Sequence, residues 1–132
     1  MSRTVAFDFD GVIHKYRDGW KDGSIYDEYN EEVVKVMIRL LENNYAVAIL
    51  STRDPVQIST WWNSKNFPVT AVPVINGSTF WNDTTHIGVF NKKIPAQVYV
   101  DDRGLTFNGD TTNLYDNIVK FQTYQERTHK LF

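Results

Sequence analysis

Tyr45-Ala46-Val47-Ala48-Ile49-Leu50 is an unbroken apolar run. A strand with one wet face alternates apolar and polar residues, so a run without a polar break marks a strand covered on both faces, the habit of parallel sheets. Thr4 to Phe9 reads as a second buried strand. Between the two, Val33, Val34, Val36, Met37, Leu40 and Leu41 recur at helical spacing. This predicts an amphipathic helix over 31–43, with Glu31 and Glu32 in its first turn and Asn43-Asn44 at its end. Strands alternating with helices predict an α/β fold, a Rossmann-like doubly wound domain with a mainly parallel sheet.

The rest of the chain continues the pattern less clearly. Asp54 caps a helix that Pro55 opens, predicted over 56–65. Val69 to Ile75 is a third apolar run interrupted by Pro73, and Asn76-Gly77 is a turn signal. Thr79-Phe80-Trp81 and Ile87, Val89, Phe90 are expected to form a hairpin. Gln97 to Val100 is a short strand. A closing helix is expected over 113–122, with Leu114, Ile118 and Phe121 facing inward, and the last ten residues are expected to fray. Residues 14–29, punctuated by Gly19 and Gly23, form a long polar and aromatic loop with room for a small hairpin. Loops of that length in a compact domain are usually functional.

With 132 residues the chain is expected to be one domain, 1–132. Its net charge of −2 gives no strongly basic nucleic-acid footprint. No cysteine is present, which excludes disulfide and thiolate chemistry. No secretory signal is visible, and no apolar run approaches the ~20 residues of a membrane span. The expectation is a cytoplasmic protein with no membrane partner.

Chemistry concentrates at the strand ends. The first strand ends in Asp8-Phe9-Asp10-Gly11, the second in Ser51-Thr52-Arg53 and a later one in Asp101-Asp102. Parallel strands bring these ends to one edge, where ligands bind in open α/β sheets. Up to four carboxylates in a small volume repel unless a cation or a shared proton neutralises them. Hard oxygen donors point to Mg²⁺, which commonly bridges one or two carboxylates to a substrate phosphate. Ser51 is a hydrogen-bond donor for a phosphoryl oxygen, and Lys93 adds positive charge. A carboxylate nucleophile, a metal and a lysine together make a phosphoryl-transfer site.

In that order these residues resemble the haloacid dehalogenase (HAD) superfamily of phosphohydrolases, over Phe7 to about Asp110. The resemblance implies Asp8 as nucleophile and Asp10 as general acid/base, with Ser51 and Lys93 (Lys92 as the fallback) as the further catalytic residues. It implies Gly11, Thr52 and Arg53 beside the substrate, and Asp8, Asp10 (through its backbone carbonyl), Asp101 and Asp102 around the metal, with either Asp101 or Asp102 in direct contact. Residues 14–29 correspond to the flap after the first motif. The intervals from Asp10 to Ser51 and from Ser51 to Lys93 are too short for a cap domain. More narrowly the chain is similar to small capless members from bacteria and phages.

The implied activity is Mg²⁺-dependent hydrolysis of a phosphomonoester through an aspartyl-phosphate. The open site and the flap aromatics Tyr16, Trp20 and Tyr26 suit a nucleotide or nucleic-acid end, although aromatics also simply pack. Trp61, Trp62 and Trp81 are expected to be packing residues, and His14 incidental. The competing readings are a receiver-like module phosphorylated on Asp, whose acids, hydroxyl and lysine come in a different order, and a non-catalytic phosphate-binding module.

Overall fold

The computed structural model describes residues 3–122. Five strands and three helices follow in the order β1 (Thr4–Asp8), α1 (Glu31–Glu42), β2 (Ala46–Leu50), α2 (Pro55–Asn63), β3 (Ala71–Pro73), β4 (Ile87–Phe90), β5 (Val98–Val100) and α3 (Leu114–Lys120). The strands form one sheet in the order β3-β4-β2-β1-β5, every pairing parallel. This is an α/β fold compatible with a Rossmann-like architecture. Among the described residues no helix is long and apolar enough to cross a membrane.

The two apolar runs become the central strands β1 and β2, paired from Thr4↔Ala46 to Asp8↔Leu50. One face of the sheet packs Val5, Phe7, Val47 and Ile49 with Val34 and Met37 of α1 and Ile58 and Trp62 of α2. α1 begins where the Asn30 side chain accepts the Val33 N–H at 3.3 Å, and α2 where Asp54 accepts the Val56 N–H at 2.9 Å. Each cap satisfies an orphan first-turn donor.

The opposite face carries Ala48, Phe90 and Ile94, with Leu50, Val74 and Trp81 packed against them. Among the described residues, loop residues rather than a helix cover it. Gly88 makes that possible: a Cβ there would lie 2.5 Å from the Trp81 indole.

Three expectations are corrected. Thr79–Trp81 and Ile87–Phe90 form no hairpin; Ile87–Phe90 is the fully buried parallel strand β4, inserted between β3 and β2. The third strand shrinks to Ala71–Pro73 at the sheet edge, where a proline removes no ladder bond that a neighbour needs. The closing helix α3 forms but buries no residue, and Ile118 stays 56% exposed. Its apolar stripe is real, yet amphipathic spacing reports that a face is apolar and not that something covers it. The last ten residues lie outside the described ones.

Candidate active site at the carboxyl ends of the strands

The parallel register does what the strand-end chemistry requires. Asp8 is level with Leu50, Leu50 with Phe90, and Phe7 with Val100. The residues that follow, Ser51 and Asp101-Asp102, therefore emerge at the same edge as Asp8. A cavity of about 750 Å³ opens there, lined by Asp8, Asp10, Ser51, Thr52, Lys93 and Asp102 among others. Its place, between β1 and β5, is where the chain's direction of travel across the sheet reverses, the usual ligand position.

Asp102 lies against Gly11, within electrostatic reach of Asp8. Gly11 has φ +90, and a Cβ on it would lie 2.8 Å from the Asp102 Cγ and closer still to one carboxylate oxygen. Only glycine permits both that backbone and that approach. Burial pushes the Asp8 carboxyl up from an ordinary 3.8 to about 7, against the Phe9 N–H bond to its Oδ1, and the charge of Asp102 adds to the rise. Asp102 is raised as well, chiefly by burial, while interaction with the neighbouring Asp8 carboxyl pulls the other way. Its Oδ1 is buried with no partner among the described residues. Two carboxyls so placed share a proton or a cation.

Asp10 is turned elsewhere. Its Oδ1 accepts from His14 Nδ1 at 2.7 Å and its Oδ2 from Arg53 Nε at 2.8 Å. Burial alone would raise its pKa, but these two donors outweigh it and hold the carboxylate below the usual range. Asp101 is also spent locally, accepting the Arg103 and Gly104 backbone N–H groups that shape its own turn. Four carboxylates thus line the cavity, and Asp102, Asp10 and Asp101 all act on Asp8 by charge, but the side chains of Asp10 and Asp101 are also held by other donors. Among the described residues no three His, Cys, Asp or Glu side chains group closely enough to hold a metal unaided. The Asp8–Asp102 pair with its partnerless oxygen does fit Mg²⁺, which keeps several waters and needs only one or two protein carboxylates.

The other expected residues line the cavity in distinct ways. The Ser51 hydroxyl accepts the Arg53 N–H at 3.1 Å, so it shapes the turn after β2 while its own proton stays free to be donated. Thr52 is exposed at the rim. Lys93 stands over the Tyr99 ring, 4.7 Å from its centroid, and Lys92 lines the same wall. Arg53 pairs with Asp10 and not with Asp54 or Asp102, and its guanidinium continues to the flap carbonyls of Gly23 at 2.5 Å and Ser24 at 3.4 Å.

The flap, residues 14–29, contains isolated bridges (Asp10 with His14, His14 with Tyr29) and no hairpin. His14 is not incidental: it is completely buried. Its sequence signal was its position four residues after Asp10, which matters only because Gly11 turns the chain back. Tyr16 lines the cavity from a left-handed backbone, φ 57, a conformation that for a non-glycine residue often marks a functional loop. Trp20 is 74% exposed, whereas Trp62 is fully buried and Trp61 and Trp81 pack against neighbouring rings.

In comparisons with known proteins, no family model, no curated protein and no solved structure matches the chain.

Proposed function

We propose that the chain is a Mg²⁺-dependent phosphomonoesterase of the HAD type, working through an aspartyl-phosphate on Asp8. The observation that carries this reading is the half-buried Asp8–Asp102 pair at the strand edge of an open cavity, each carboxyl raised chiefly by burial. Asp8 and Asp102 would hold the metal. When bound, Mg²⁺ supplies the charge that lets both carboxylates ionise and that offsets the phosphoryl oxygens.

The remaining steps belong to the chain's own groups. An Asp8 oxygen attacks phosphorus, and the bond to the leaving oxygen breaks with a proton delivered to that oxygen. Water then attacks the acyl phosphate, restoring the Asp8 carboxylate and releasing phosphate. Asp10 is the proton carrier: its anionic state suits the water-activating half, and in the acid half the proton it delivers sits on a lone pair that its two fixed donors leave open. The Ser51 hydroxyl and the Lys93 ammonium serve the phosphoryl oxygens, while Gly11, Thr52 and Arg53 frame them.

The finer reading is a nucleotide or nucleic-acid-end phosphate. Tyr16 and Tyr99 offer ring faces in the cavity, and Lys92 and Arg103 offer charge for a second anionic group. One observation favours binding without turnover: both Asp10 oxygens are already engaged.

Turnover of p-nitrophenyl phosphate decides between these. The expected result is activity that needs Mg²⁺ and disappears in Asp8→Asn, and unchanged activity in Asp8→Asn refutes the nucleophile. Phosphate bound tightly with no cycling in the wild type supports the non-catalytic reading. A panel of nucleotides and 3′- and 5′-phosphorylated oligonucleotides tests the substrate class, and activity confined to small sugar phosphates rejects it.

A further inference from the structure

His14 is a fully buried titratable side chain that the scheme above does not use. Its ring is sealed by Phe9, Tyr16 and Tyr26, with centroids at 5.6, 5.5 and 5.2 Å. Its Nε2 lies 3.0 Å from the backbone nitrogen of Asp27, across the flap. A backbone N–H can only donate, so Nε2 is the acceptor and the ring proton sits on Nδ1, which donates to Asp10 Oδ1 at 2.7 Å. A proton on Nε2 would set two N–H donors against each other at 3.0 Å. The Asp27 amide is itself fixed, because Arg17 grips the Asp27 carboxylate at 2.6 and 3.0 Å.

We propose that His14 is a positioning residue: locked by the flap in its Nδ1–H tautomer, it fixes the orientation of the Asp10 carboxylate and makes that orientation depend on the flap being seated. The ring contributes direction through its Nδ1–H donor. Arg53 supplies the matching constraint on the other oxygen, and it too runs on to the flap, at Gly23 and Ser24. Both oxygens of Asp10 are thus tied to the loop that borders the cavity. When the flap lifts, the Asp27 amide leaves Nε2, the ring is free to turn or change tautomer, and Asp10 loses its fixed donor. The catalytic consequence rests on Asp10 being the proton carrier proposed above; the tautomer and the flap link do not.

The experiment uses the full chain labelled with ¹⁵N-histidine. Two-bond ¹H–¹⁵N spectra at neutral pH should show His14 with a pyrrole-type Nδ1 and a pyridine-type Nε2, and the Asp27 amide should be protected from exchange. An Nε2–H or averaging ring overturns the proposal. In turnover, His14→Phe keeps the ring volume and loses the donor. It should lower kcat by roughly 10–100-fold, the usual effect of removing an orienting partner, with KM within about 3-fold by the same reasoning that binding contacts are untouched. His14→Asn, which retains a donor near the Nδ1 position, should recover most of the loss. Wild-type kcat in folded His14→Phe, or no recovery in folded His14→Asn, overturns it. If the wild type turns over no phosphomonoester, the phosphatase reading fails, and the tautomer together with Asp27 amide protection still decides the positioning role. If His14→Phe does not fold, the wild-type spectrum and His14→Asn decide it.

Discussion

Asp8→Asn should stabilise this protein at alkaline pH when no divalent cation is present. The Asp8 carboxyl rises from 3.8 to about 7 on folding, because burial disfavours its charge. An acid raised in the folded state costs nothing below its unfolded value, where it is protonated in both states. The cost builds as pH climbs from about 4 to about 7 and is complete above. At about 1.4 kcal/mol per pH unit the full difference is on the order of 4 kcal/mol. Asp8 is only half-buried and shares its proton with Asp102, so solvent screening reduces this to roughly 2 kcal/mol. Asparagine has the shape of the protonated acid and still accepts the Phe9 N–H. In EDTA the two proteins should melt together near pH 4, and the variant should lead by roughly 5–10 °C at pH 8 for a domain of this size. Mg²⁺ should erase most of that lead by stabilising the wild type selectively. The measurement is thermal unfolding across pH 4–8 with EDTA and with Mg²⁺. A variant less stable than wild type at pH 8 in EDTA, or a Mg²⁺ shift equal in both proteins, would refute the buried-pair argument.

Gly11→Ala should cost about 2–4 kcal/mol in urea unfolding, from a left-handed backbone and a Cβ forced against the Asp102 carboxylate; a loss under about 0.5 kcal/mol, on that scale, means the two loops are not in contact. Asp54→Ala should lower stability by about 1 kcal/mol through loss of the α2 cap, read by the same titration. Ile58→Ala should cost about 2–5 kcal/mol because Ile58 is wholly enclosed, while Ile118→Asp should leave stability within about 0.5 kcal/mol because α3 packs against no other described element. A large loss in Ile118→Asp would place α3 against the body of the domain.

The parts of the fold that were readable in sequence share one physical property. β1 and β2 are buried on both faces, and continuous burial writes itself as an unbroken apolar run. α1 is buried on one stripe, and its spacing says so. The ends of these elements carried the site residues, so Asp8, Ser51 and Asp102 could be assigned to one edge before any coordinates were known. β4 was misread because four residues, Ile87-Gly88-Val89-Phe90, carry too little pattern to reveal a partner, and Thr79-Phe80-Trp81 nearby offered itself as one. Nothing local says that such a strand will slip between two others. The side-chain directions of Asp10 and Asp101 were equally hidden, since both depend on donors brought by a distant loop or by the turn itself. His14 stood beside the acid pair in plain view, but its role needs the Asp27 amide, thirteen positions away.

The flap is fastened near its start, by His14, and again near its far side, where Arg53 and Gln57 both reach the Gly23 carbonyl. Between those fastenings Gly19 and Trp20 begin a stretch whose indole stands largely in solvent. An engineer wishing to graft a recognition element onto this scaffold has a natural splice point there, because a peptide spliced between Gly19 and Asp22 interrupts neither set of ties. The same graft placed at Ser24 or Asp27 would cut the lashings of Asp10, and the chimera would lose the orientation of that carboxylate along with the shape of its loop.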